Sequence, residues 1–211
     1  GRSLAYIDWS AQEIGIAAAL SEDPLLMSGY KTGDPYLAFG KQAGVIPKGA
    51  TKQSHKADRD RLKAVVLGTN YGMGPESIAA QVGISSLEAR QLLNLHRMTY
   101  KRFWQWADEN VARVDLNGVI ATVYGWPIYT GRDWNPRAAL NFPMQANGAE
   151  IMRIAAMLAT EAGVNVCAPV HDAFLIEADE IEIHDTVAQM QAIMAQASRQ
   201  VLNGFEIRTD V

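Results

Sequence analysis

The chain has 211 residues, 48% of them apolar, with 19 Lys and Arg against 23 Asp and Glu for a net charge of −4. That apolar share can bury one large core or two small ones, while the negative balance argues against a protein that coats nucleic acid by bulk attraction. No apolar run reaches the ~18 residues of a membrane span, and a single cysteine, Cys167, excludes an internal disulfide and a thiolate zinc cluster, so no membrane partner and a cytoplasmic setting are expected.

In chain order, Gly1-Arg2-Ser3 opens without an initiator methionine, which reads as a piece of a longer chain. Leu4 to Asp8 is a predicted strand, followed by an alanine- and isoleucine-rich helix over Ala11 to Leu20 with Ser10 as its cap. Asp34-Pro35 is a cap followed by a first-turn proline, predicting a short helix over Tyr36 to Ala43, with a loop over Gly44 to Thr51. Ser54 to about Asn70 is a helix on which Arg59, Lys63, Leu67 and Asn70 or Tyr71 share one stripe, while Leu62, Val65 and Val66 turn toward a core. Gly72-Met73-Gly74-Pro75 breaks it, and Pro75 starts a short helix to Val82.

Ser85 and Glu88 form a capping box for a helix through Arg97, and a further helix over Lys101 to Leu116 ends at Asn117-Gly118. Val119 to Val123 and Ile128 to Thr130 form a hairpin around Tyr124-Gly125-Trp126-Pro127. Asn135-Pro136 starts a long helix to Ala162, stopped by Gly163. Ala168 to Ala178 reads as a second hairpin with His171 and Asp172 at its tip, the strand character carried by Val164, Val166, Val170, Phe174, Leu175 and Ile176. Ile181 to Leu202 is an amphipathic helix, and Gly204 to Arg208 a closing strand.

A lone carboxylate at a bend ordinarily satisfies turn hydrogen bonds, and Asp172 alone would read that way. Asp8, however, ends a second strand, and two carboxylates offered from strand ends are what a magnesium site needs. Arg59 and Lys63 lie one helical turn apart and can reach a single anion, although a solvated helix face would carry the same charges. They close a basic stretch from Lys48 to Lys63, whereas Glu177 to Asp185 is acidic; a local basic stripe in an acidic protein suits a confined anionic ligand. Two acids and a triphosphate-sized basic face are together the parts of phosphoryl transfer by two metals.

These residues resemble the palm and fingers of a family-A DNA polymerase. Asp8-Trp9-Ser10-Ala11-Gln12-Glu13 is similar to the family's first motif, Asp-Tyr-Ser-Gln-Ile-Glu. Arg59, Lys63, Leu67 and Tyr71-Gly72 match the second, Val170-His171-Asp172 starts the third, and Arg137, Asn141 and Gln145 match a segment that contacts primer-template. The resemblance implies an α+β fold: a right-hand palm, an antiparallel sheet backed by helices, over residues 1–33 and 117–211, and helical fingers over 34–116 with the nucleotide helix at 54–71. The thumb and any exonuclease domain would lie outside this chain.

The same resemblance implies two Mg²⁺ ions on Asp8, Asp172 and the Trp9 carbonyl, with Arg59 and Lys63 on the triphosphate of a deoxynucleotide. Lys63 would donate a proton to pyrophosphate, Glu13 would crowd the 2′ position against Tyr71, and Leu67 would line the sugar pocket. Tyr71 would lie near the templating base, and His171, Arg137, Asn141 and Gln145 would hold the primer terminus and duplex. Tyr36 would replace a family histidine beside the triphosphate, and the missing N-terminal part of the polymerase would be a partner.

Departures from the pattern are specific. Ala173 stands where the third motif carries glutamate, an expected loss of rate or change of metal choice; Glu177 lies roughly 13 Å further along the strand. Ala11 and Gly15 replace a glutamine and an arginine near the first motif. A single-subunit RNA polymerase shares the palm and has a small residue after His-Asp, but Glu13 speaks against an open 2′ position. A His/Asp phosphohydrolase lacks support, since His55, His96 and His184 have no metal-site context; a DNA-binding module without catalysis is the third reading, motivated by Ala173.

Overall fold

The computed structural model describes residues 1–131 and 134–211, which divide into two compact units. One unit comprises residues 1–20, 121–127 and 144–211; the other comprises 21–120 and 128–143. The sequence boundaries at 33/34 and 116/117 thus differ from those of the contact units, whose helical member begins at Ser21.

The first unit is built on an antiparallel sheet in the order β4-β5-β1-β6, from β1 (Arg2–Trp9), β4 (Asn165–Val170), β5 (Ala173–Asp179) and β6 (Thr209–Asp210). Residues alternate across it: Ile7, Phe174 and Ile176 are fully buried on one face, while Leu4 and Tyr6 on the other remain exposed. Trp9 is buried with its ring edge-on to Phe174 at 5.9 Å. Helix α9 (Ile183–Val201) buries Met190, Met194, Ala197 and Val201, the three-and-four repeat read in the sequence, and packs on β1, β5 and β6.

The closing strand is corrected. Gly204 to Arg208 is irregular and β6 is only Thr209–Asp210, because the Ile207 N–H donates to the Ser198 hydroxyl of α9 at 3.1 Å and so is taken out of a sheet ladder. Arg208 accepts from Ser10 N–H at 2.8 Å, and pairing with β1 begins there.

Helix α1 (Gln12–Ser21) follows β1, entered through Ala11 in the left-handed region at φ 49. The second unit then begins with α2 (Pro24–Lys31) and α3 (Pro35–Gln42), both opened by an Asp-Pro pair. Asp23 holds two helices at once: one carboxylate oxygen accepts from the Leu25 and Leu26 N–H groups at 3.0 Å, the other from Arg102 and Phe103 at 3.0 and 3.2 Å. The latter pair opens α7 (Lys101–Asn117).

Helix α4 (Lys56–Asn70) turns Leu62, Val65 and Val66 into the core. It packs closely on α3, where a Cβ at Gly40 would stand 2.5 Å from Leu62. Next come α5 (Pro75–Val82) and α6 (Ser86–Thr99), the latter capped by the Ser85 hydroxyl accepting from Glu88 N–H at 3.1 Å. The short hairpin β2 (Val119–Ala121) and β3 (Pro127–Tyr129) leads to α8 (Pro136–Glu161), of which residues 136–143 belong to the second unit and 144–161 to the first.

A candidate nucleotidyl-transfer site

The acid pair is positioned by the central strands of the sheet. Asp8 lies one residue from the end of β1, and Asp172 occupies the two-residue turn between β4 and β5 with His171, which adopts the left-handed conformation at φ 57. The Trp9 N–H donates to the Asp172 carbonyl at 3.0 Å, which ties the turn to the end of β1. The register sets Ala173 directly opposite Asp8, on the same face of the sheet, so the glutamate missing from the third motif would have pointed beside Asp8. Glu177 lies opposite Leu4 instead and pairs with Arg2 at 3.1 Å, remote from that position.

Sequence reasoning missed Asp210. It is the direct partner of Asp8 on β6, a placement invisible while the closing strand was set at 204–208. The Asp8 carboxyl is held above the ordinary carboxylate range, first by burial, then by the charges of Asp172 and Asp210. Two carboxylates and a backbone carbonyl are hard oxygen donors that suit Mg²⁺, which keeps waters and takes substrate phosphates as its other ligands. Among the described residues no group of three or more His, Cys, Asp or Glu side chains is placed to hold a metal ion by itself. The donor chemistry of the residues nonetheless fits magnesium.

A cleft of about 460 Å³ opens beside His171 and Asp172 in the same unit. Its other walls include Gln12 and Glu13 from α1 and Gln145, Gly148, Met152 and Arg153 from α8. A Cβ at Gly148 would lie 2.9 Å from the Gln12 side-chain oxygen, so α1 and α8 approach closely there and a larger residue would displace the Gln12 side chain. Gln145 donates to the Glu13 carboxylate, so the residue expected at the sugar and one expected at the duplex are joined. Behind this wall Glu150 is only 6% exposed and accepts from the Thr122 hydroxyl at 3.0 Å and from Arg153 Nε at 3.2 Å. The hydrogen bond from Arg153 holds the Glu150 carboxyl below its ordinary range, against the opposing effect of burial.

In the helical unit, α4 presents the expected stripe. Lys63 and Tyr71 are exposed and Arg59 and Leu67 half-buried, whereas Asn70 is buried, which settles Tyr71 as the end of the stripe. Arg59 is ion-paired with Asp34, the cap of α3. The Tyr36 ring is buried beneath both cations, 5.3 Å from the Arg59 guanidinium and 5.7 Å from the Lys63 ammonium. At the end of α4, Gly72 is left-handed at φ 65 and packs on Arg137 and Leu140, which brings Tyr71-Gly72 and Arg137 together. Arg137, Asn141 and Gln145 recur every four residues on α8; the Asn141 side-chain oxygen is buried without a hydrogen-bond partner among the described residues.

The mixed fold of helices and antiparallel sheet matches that of a solved polymerase domain. The solved POL domain of Pol1 from M. smegmatis, in complex with DNA primer-template and dNTP, is 25% identical, superposes with a TM-score of 0.84, and is matched over 98% of this chain and 38% of its own. The chain belongs to DNA polymerase family A, whose model matches residues 1–210. Among its relatives, the DNA polymerase of Mycobacterium phage D29 is 27% identical over 98% of this chain and 34% of its own length. DNA polymerase I of Synechocystis is 25% identical over 92% of this chain and 22% of its own. The chain therefore spans 22% and 34% of the length of these curated relatives.

Proposed function

We propose that this chain is the palm and fingers of a DNA-directed DNA polymerase, which adds deoxynucleotides to a primer 3′-hydroxyl as a template directs. The observation that carries the reading is the placement of Asp8 and Asp172 at adjoining ends of β1 and the β4–β5 turn, where the Trp9 N–H donates to the Asp172 carbonyl at 3.0 Å, in a chain of this family. Asp8, Asp172 and the Trp9 carbonyl would hold two Mg²⁺ ions, which when bound supply the positive charge that favours the 3′-alkoxide and the leaving pyrophosphate.

The remaining work falls to side chains. Arg59 and Lys63 grip the triphosphate, held over the Tyr36 ring, which acts by orienting them. Lys63, exposed on α4, donates a proton to pyrophosphate. Leu67 and Tyr71 line the sugar and templating positions, and Arg137, Asn141, Gln145 and His171 hold the primer terminus and duplex, reading shape and backbone. The segments that complete the longer relatives would help retain the duplex, and the site of action is the cytoplasm of a bacterium or of a phage-infected cell.

Sugar choice tests this reading against a ribonucleotide polymerase. The chain should extend a primer with deoxynucleotides and reject ribonucleotides, and Glu13→Ala, which also removes the partner of Gln145, should raise ribonucleotide incorporation at least about tenfold. An unchanged sugar preference in that variant would remove Glu13 from the role.

A further inference from the structure

The cleft wall beside His171 and Asp172 is lined by two acids, Glu13 and Asp172, and by one Lys or Arg among the described residues, Arg153. A nucleic-acid backbone entering this cleft meets net negative charge unless that cation faces it. Arg153 is built to do so. Its side chain is 60% exposed, yet its guanidinium is fixed from behind by Glu150, which takes both Nε and Nη2. Glu150 is itself 6% exposed and locked by Thr122 at 3.0 Å. Thr122 in turn accepts from the Trp126 N–H at 3.0 Å, so the whole support is tied to the hairpin turn.

A guanidinium has five N–H donors, and one Glu150 oxygen accepts from two of them while the other accepts from Thr122, leaving a pre-oriented remainder for an anion. A solvated ion pair serving only the helix surface would not require its acid to be buried and doubly held. We propose that Arg153 is a backbone-phosphate contact for the primer-template duplex, a positioning residue that sets the strand beside His171 and Asp172. The proposal rests on the polymerase reading above. Its ligand is a phosphodiester of DNA and not the nucleoside triphosphate, for which α4 carries separate cations.

The test measures equilibrium binding of a fluorescent primer-template across a potassium chloride series, with steady-state KM values for DNA and for deoxynucleotide. The variant is Arg153→Met combined with Glu150→Gln, which avoids stranding a buried carboxylate; Glu150→Gln alone keeps the cation. The double variant should bind DNA about tenfold more weakly and lower the slope of log K against log salt by about 0.9, with KM for deoxynucleotide unchanged. Glu150→Gln alone should keep the wild-type slope, which a merely structural role of the pair would not distinguish. Equal affinity and slope in a folded double variant, or an effect confined to the deoxynucleotide KM, would overturn the proposal while leaving the polymerase reading intact. Absence of primer-template binding by the wild-type chain would overturn both.

Discussion

His96 shows how far a single side chain can be pushed by its surroundings. It is 1% exposed, its Nδ1 accepts from the Trp104 indole N–H at 3.1 Å, and the rings of Phe39, Tyr100 and Phe103 surround it at 5.1, 4.9 and 5.9 Å. Nε2 then carries the proton and has no hydrogen-bond partner among the described residues, although its N–H can rest on the ring faces. Burial pushes the His96 pKa down from 6.5 to about 3. Because the folded value is the lower one, the unfolded chain takes up a proton first as pH falls. The His96 contribution to stability is therefore complete above pH 6.5 and declines toward about 3, at up to ~1.4 kcal/mol per pH unit. Urea unfolding at pH 7 and pH 5 should show this loss in the wild type and less of it in His96→Leu; the same loss in both would place its origin elsewhere.

Among the elements, the end of α4 packs against the start of α8 at Gly72. Gly72 adopts φ 65, and a Cβ there would lie 3.1 Å from both Arg137 and Leu140. Gly72→Ala should destabilise the chain by about 1–2 kcal/mol, since a left-handed alanine is strained and the neighbouring side chains must also yield. Chemical denaturation measures this directly, and a neutral result would mean that the α4 terminus relaxes freely. Most elements were legible in the sequence because caps, prolines and apolar spacing agreed, as at Asp34-Pro35, Ser85/Glu88 and the α4 stripe.

The failures have physical causes. Helix α2 lies outside the elements expected from the sequence, although Asp23-Pro24 repeats the signal read at Asp34-Pro35 and both helices are eight residues long. The value of Asp23 lies in its second oxygen, which caps α7 from 79 and 80 residues away, a contact no local pattern reveals. The closing strand was set early because Phe205 and Ile207 have strand character, whereas the Ser198 hydroxyl intercepts the Ile207 N–H. That shift hid Asp210, the neighbour of Asp8. The acid pair itself was legible as two strand-end carboxylates, but the direct opposition of Ala173 to Asp8 required the register.

For the molecule as a whole, charge placement matters more than its sum. A net charge of −4 coexists with a basic stripe on α4 and a cleft at the sheet lined by Glu13 and Asp172, so a field favourable to anions is confined to a few placed cations. Described residues include no helix long and apolar enough to cross a membrane. The unit built on the sheet carries Asp8 and Asp172, and the helical unit carries Arg59 and Lys63 on α4. We propose that Asp8 and Asp172 form the magnesium-dependent site of nucleotide addition, without the third-motif acid that Ala173 replaces. Single-turnover primer extension across a Mg²⁺ titration tests it most directly. The expected result is magnesium-dependent extension by the wild-type chain and a loss of at least about a thousandfold in Asp172→Asn, with primer-template binding retained. Extension by Asp172→Asn at the wild-type rate would contradict the assignment of this site.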